Sequence, residues 1–312
     1  MGGIISLFIC LIISIIRTVK RRKGKLSSPN KPILNFLTFV VCAACMLYSY
    51  FYICWGFNWY REPIEKYFGF QVHPSEKNEL KELCQDLILE INKVRPLVAE
   101  DENGVMKING DLSDLSKRAE IGYINLSKEY DLFSGSYCRP RYLISSEFFC
   151  RMNIVGIFIP YTFESNINKL TPDSSKPSTL MHEMAHQRGI TNESEANYIA
   201  YLASISHDDV DFIYSGYRLA LNYCLSELSN NDYDLYAELL SDPKYSIHDG
   251  FWNDNRAGNE FWEQYKDSVI KDIATSVNDS YIKSHGDDNG IRSYNEVVSL
   301  LLAERRHKLG LG

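Results

Sequence analysis

His182 and His186 stand four residues apart in the run HEMAH, with Glu183 directly after the first of them. On a helix, positions i and i+4 share a face, so two imidazole nitrogens can reach one metal ion. Glu183 is angled toward a water held at the same ion. Two neutral nitrogen ligands, an open coordination position and a carboxylate base are the parts of metal-assisted hydrolysis. The implied cofactor is one Zn2+ ion, with Glu183 as general base.

Two such histidines need a third ligand. Gly189 is placed to end the first helix as a C-cap. The run T-N-E-S-E-A-N then opens a second apolar-periodic helix, with Thr191 or Asn192 as its N-cap. Glu193 and Glu195 are both candidates from its first turn. Glu193 is preferred, because it shares a face with Asn197, which could hydrogen-bond a ligand from behind. Ala196 and Ala200 are small enough for close helix packing. The plain reading of Glu195, the alternative ligand, is a charge that favours a helix N-terminus.

The rest of the chain must position these groups. Its 312 residues are 45% hydrophobic, which suits one globular domain plus membrane segments. Residues 1–60 hold no acidic side chain and seven basic ones: Arg17, Lys20, Arg21, Arg22, Lys23, Lys25 and Lys31. Residues 61–312 hold the other 26 of the 33 basic side chains and all 40 acidic ones, a net of −14. An acidic body of that kind excludes nucleic acid as a natural partner.

Gly2 to Ile16 and Ile33 to Trp59 are uncharged apolar runs around the basic stretch. They predict two N-terminal transmembrane helices over 1–60, joined by a basic cytoplasmic loop. Residues 61–312 then form an extracytoplasmic domain of a multi-pass protein of the cell membrane; the alternative is a single anchor with the body inside, which needs the first run not to span. Tyr48, Tyr50, Tyr52, Trp55, Trp59 and Tyr60 form an aromatic belt at the outer end. C-x-x-C at Cys42 and Cys45 lies in an apolar run and reads as small packing residues. Among Cys84, Cys138, Cys150 and Cys224, a Cys138–Cys150 disulfide is the one pairing to expect.

Within the domain, Ser75 should cap a helix to Arg95, with Leu80, Leu83, Leu87 and Ile91 on one face. Asp111 or Ser113 should start another, reaching about Tyr130. Two strand-like runs follow, R-Y-L-I-S-S and Gly156 to Phe163. Pro160 favours an edge position for the second, where an extended peptide could pair. Ser165 to Ser178 reads as a polar loop. Further helices are expected at about 209–229, 232–241, 260–278 and 293–306. The stretch S-I-H-D-G-F-W-N-D-N-R-A-G reads as irregular. The fold class is α+β, predominantly helical, with a small sheet beside the H-E-x-x-H helix.

The Glu193–Asn197 spacing resembles the E-x-x-A-D/N signature of gluzincins, including the CAAX prenyl protease type, in which the first Glu binds zinc. Here Asn197 takes the place of the commoner Asp. The chain also resembles a bacterial membrane family of zincin-like proteins catalogued as a domain of unknown function. The matching segments are W-G-F-N-W-Y-R-E-P, G-I-F-I-P-Y-T-F-E-S-N-I-N, H-E-M-A-H-Q-R-G with E-S-E-A-N-Y-I-A-Y-L-A, Y-S-G-Y, and V-N-D-S-Y-I-K-S-H-G with G-I-R-S-Y-N-E-V-V-S-L-L-L-A. The resemblance implies a membrane-anchored metallopeptidase and brings no substrate with it; the zinc-and-base chemistry of the motif is what points to a peptide or protein. Tyr281 is the candidate donor to a developing oxyanion, with His285, Tyr217 and His248 as others. Asn278 and Asp279 read as helix-end residues. The alternative is a non-catalytic domain in which the metal is a structural staple, closed by four protein ligands.

Overall fold

The computed structural model describes residues 32–74, 76–266, 276 and 295–311. They fall into two compact units, divided between Tyr60 and Arg61.

The described residues of the first unit form one helix, α1 (Pro32–Cys54), followed by a 3-10 turn at Gly56–Tyr60. Its stretch Phe36–Cys54 is long and apolar enough to cross a membrane, and among the described residues no other helix is. Phe36, Phe39, Leu47 and Ile53 are exposed along it. A bilayer can remove such side chains from water where the protein does not. The other predicted span, Gly2–Ile16, and the basic loop lie outside the described residues.

The second unit opens with a short helix, α2 (Ile64–Phe68), and a long one, α3 (Lys77–Val94). Leu80, Leu83, Leu87 and Ile91 recur at helical spacing on α3 and are all buried, each burial contributing ~2 kcal/mol. Ser75 lies outside the described residues, and the cap is Glu76, paired with Glu79 in a capping box. The helix expected to reach Tyr130 is two pieces, α4 (Leu112–Arg118) and α5 (Glu120–Ser127). Asp111 caps α4, accepting from the Asp114 N–H.

Next comes a three-stranded sheet. Its strands are β1 (Arg141–Tyr142), β2 (Gly156–Ile159) and β3 (Glu164–Ile167), with α6 (Ser146–Arg151) between the first two. The spatial order is β1-β3-β2; β3 runs parallel to β1 and antiparallel to β2. Two expectations are corrected here. R-Y-L-I-S-S is a strand only at Arg141–Tyr142, because Ser146 already begins α6. Gly156 to Phe163 is not one strand but half a hairpin. The chain turns at Pro160, where the Thr162 and Phe163 N–H groups both bond the Ile159 carbonyl, and Phe163 takes φ +56°. Its second arm, β3, falls in the stretch expected to be loop, and it is the central strand. The polar sequence Glu-Ser-Asn-Ile hides it, since Ser165 and Asn166 are buried but hydrogen-bonded.

The remaining elements are α7 (Lys176–Gln187), α8 (Glu193–Ile205), α9 (Val210–Asn231), α10 (Tyr233–Ser241), α11 (Asp249–Glu263) and α12 (Asn295–Lys308). The segment expected to be irregular is mostly α11. His248 caps it with Nδ1, which accepts from the Gly250 N–H at 3.0 Å. The Cys138–Cys150 bridge is also corrected. Both residues are thiols, Cys138 exposed and Cys150 buried beneath the Asn168 amide.

One core joins α3, α7, α8, α9 and α12. The faces that cross most closely are stripped of bulk. Ala196, Ala200 and Ala203 on α8 are fully buried. A Cβ at Gly122 of α5 would collide with the Ala203 carbonyl. Interiors packed to crystal density leave no slack for such an atom.

Candidate metal centre

α7 carries the two histidines, and both its ends are tied down. At the start, the Ser178 N–H donates to Ser215 Oγ on α9 at 3.0 Å. At the end, Gly189 takes φ +85°, and the Ile190 N–H returns to the Ala185 carbonyl. This turn lets Asn192 cap α8 by accepting from the Glu195 N–H at 2.9 Å. The first turn of α8 thereby swings Glu193 against the histidine face of α7.

Three side chains meet there. His182 Nε2 and His186 Nε2 are 3.0 Å apart. Glu193 Oε2 lies 3.2 Å from the former and Oε1 3.6 Å from the latter. The three possible ligand atoms all lie within 4.8 Å of one another.

The outer nitrogens explain why that gathering calls for a cation. His182 Nδ1 is 3.0 Å from Asn197 Oδ1, and His186 Nδ1 is 2.7 Å from the Ile190 carbonyl oxygen. Both partners are acceptors, so each Nδ1 carries its proton. In the neutral rings each Nε2 is then a bare lone pair. Two such lone pairs and a carboxylate face one another, an arrangement stabilised only by positive charge at the centre. The proton affinities say the same. Burial works against a charged His186, yet the Glu193 carboxylate, helped by Glu183, holds it up to about 9. Burial likewise raises the Glu193 carboxyl, but His186 and His182 outweigh it and keep it well below the usual carboxylate range. Two imidazole nitrogens and one carboxylate oxygen, with the outer nitrogens held by oxygen acceptors, form a donor set that fits zinc.

Glu183 sits on the buried side of α7, 4% exposed. Burial raises its carboxyl to about 7, partly opposed by His182 and His186. The Phe158 N–H of β2 donates to this carboxylate. Beside it, a Cβ at Gly156 would come within 2.8 Å of Glu183 Cγ and Cδ. β2 can therefore lie this close only because residue 156 has no side chain. Ser165 of β3 fastens the sheet to the same turn of α7, its hydroxyl donating to the Glu183 carbonyl at 2.8 Å. The signal for Gly156 was present in the sequence, as a glycine within a strand pattern often marks a close approach.

The other candidates fall elsewhere. Glu195 Oε1 accepts from the Ile64 N–H at 2.9 Å, tethering α2, and burial raises its carboxyl to about 7. It bonds the Ile64 N–H instead and is not among the three converging side chains. Tyr217 packs its ring 6.0 Å from that of Tyr201, and His248 is spent as the cap of α11. Tyr281, His285, Asn278 and Asp279 lie outside the described residues.

An ion at this position would have three protein donors among the described residues, with the Glu183 carboxyl on the same helix one residue from His182. Such a group can bind a divalent cation and move a proton beside it. No curated protein and no solved structure matches the chain. The profile of the family described as "Protein of unknown function (DUF3810)" matches residues 2–302, and the chain belongs to that family.

Proposed function

We propose that this chain is a membrane-anchored zinc-dependent peptidase of gluzincin type. The observation that carries the reading is the convergence of His182, His186 and Glu193 with Glu183 buried beside them. A structural staple gains nothing from a base next to its first ligand and is closed by a fourth protein ligand. Among the described residues the group has three.

Zinc held there would supply a Lewis acid and make water at the site a stronger nucleophile near neutral pH. The chain's own residues do the rest. Asn197 and the Ile190 carbonyl fix the two imidazoles in the tautomer that turns Nε2 inward. Glu183 takes a proton onto its carboxylate from the water that attacks the scissile carbonyl. It then returns that proton to the departing amine nitrogen. Its buried setting beneath β2 keeps competing water away from the carboxylate. β2 is an edge strand, so an extended peptide can pair along its free side.

The substrate on this reading is a peptide or protein outside the cytoplasm. On this reading α1 crosses the bilayer, with the seven basic residues that precede its apolar stretch kept on the cytoplasmic side. Glu183→Gln tests the mechanism. The variant should keep its metal and its fold and lose at least ~100-fold in hydrolysis of any responsive peptide. Retained activity would remove Glu183 from the role of base.

A further inference from the structure

A cleft of about 740 Å³ opens between α9, α11 and the approach to α7, a size that suits a small ligand or a few residues of peptide. Arg218 of α9 and Arg256 of α11 both line it, and no acidic side chain does. That is against the trend of a domain with a net charge of −14.

The two guanidiniums are short of partners. The Nε of Arg218 is buried with no hydrogen bond. Neither arginine makes a hydrogen bond or an ion pair among the described residues. The nearby buried carboxylate, Asp254, is already committed. Its Oδ2 takes the Arg95 Nε at 3.0 Å and the Tyr214 hydroxyl, and its Oδ1 takes the Met106 N–H at 2.7 Å. Desolvation accordingly lowers the proton affinity of Arg218. A partly buried cation without a counter-charge costs stability that an incoming anion would offset.

The walls are equally suited to a ligand. Asn222 and Asn255 hold α9 to α11 by a reciprocal pair of hydrogen bonds, each amide N–H donating to the other's Oδ1, at 3.2 and 2.9 Å. Each amide keeps a second N–H for another acceptor. Trp252 and Trp262 add flat apolar faces.

Its position links the cleft to the chemistry. Val155, part of its lining, directly precedes Gly156, the residue that abuts Glu183. Ser175, also part of the lining, stands seven residues before His182 on the approach to α7. That is roughly 10 Å of helix, the reach of about three extended residues.

We infer that this cleft binds a carboxylate and, resting on the peptidase reading above, that the carboxylate belongs to the substrate about three residues from the scissile bond. Two sources share that chemistry: a free peptide C-terminus and an Asp or Glu side chain.

The test uses the full zinc-loaded chain in detergent, with Glu183→Gln to prevent turnover. Three N-acetylated peptides are titrated by calorimetry: Ala-Ala-Phe-Ala with a free carboxylate, the same peptide as its amide, and the amide with one Glu in place of an Ala. At least one carboxylate peptide should bind about tenfold or more tighter than the plain amide, the worth of one charge-assisted pair. The tighter of the two identifies the source. Arg256→Gln, at an exposed position where folding is safe, should erase that advantage, bringing the carboxylate peptides to the affinity of the plain amide on the same variant. Arg218→Lys should reduce it. Equal binding of all three peptides, no binding of any, or an advantage that survives Arg256→Gln would overturn the inference. If the advantage holds but the unsubstituted chain cleaves none of the peptides, the cleft stands and the peptidase reading loses its support. Cleavage without any carboxylate preference has the opposite meaning.

Discussion

Asn197 controls more than its own hydrogen bond. Its Oδ1 fixes the proton of His182 on Nδ1 and so decides which nitrogen can donate to a metal. The carbonyl of Ile190 does the same for His186, but it is main chain and no substitution removes it. The two imidazoles are therefore tuned by unequal means, one mutable and one built into the C-terminal turn of α7. Asn197→Ala should weaken metal binding by about 10- to 100-fold without unfolding the chain. Competition against a chelator of known affinity measures this. An unchanged affinity would mean the tautomer is set some other way. An Asp at this position would bind the imidazole N–H more strongly than the amide found here.

At the scale of elements, the parts legible in the sequence were those with a strong period or a rigid motif. H-E-x-x-H needs a helix, Gly189 needs a left-handed turn, and Asn192 is a good cap; all three appear where expected. The choice of Glu193 over Glu195 followed from the face shared with Asn197, and the structure turns Glu195 toward Ile64 instead. The failures share one cause, tertiary satisfaction of polar residues. β3 is polar in sequence yet central in the sheet, because Ser165 and Asn166 find partners there. α11 contains two glycines and three asparagines, poor helix formers. Its buried Asp254 holds it against Arg95 and the loop at Met106. Tertiary contacts also hold α12 in place, and here a pH effect follows. Arg306 of α12 donates to both carboxylate oxygens of Glu79 on α3, at 2.9 and 2.6 Å. That bond holds the Glu79 carboxyl down at about 2, against an ordinary value of 4.5. A depressed carboxyl stabilises the fold above its ordinary value and ceases to do so as pH falls through its folded value. Thermal midpoints of the wild-type domain should therefore fall between about pH 4.5 and 2, and those of Glu79→Gln should fall less over the same interval. Parallel curves would show that this pair does not anchor α12.

At the scale of the whole molecule, an apolar helix and an acidic, mostly helical unit are joined at Tyr60–Arg61. The outward orientation proposed for that unit has a simple reporter. Cys138 is exposed, whereas Cys84, Cys150 and Cys224 are buried. After mild reduction, a membrane-impermeant maleimide should label intact cells at Cys138, and on a Cys54→Ser background Cys138→Ser should abolish the labelling. Labelling only after lysis would place the domain inside. Neither the anchor nor its orientation matters, however, unless α7 and α8 together hold an ion. The most direct measurement is the metal content of the full chain purified in detergent without added chelator, compared with His182→Ala, Glu193→Gln and Glu195→Gln. The account predicts one zinc per chain, lost in the first two variants and kept in the third. A wild-type chain without metal, or zinc that survives the first two substitutions, would contradict it.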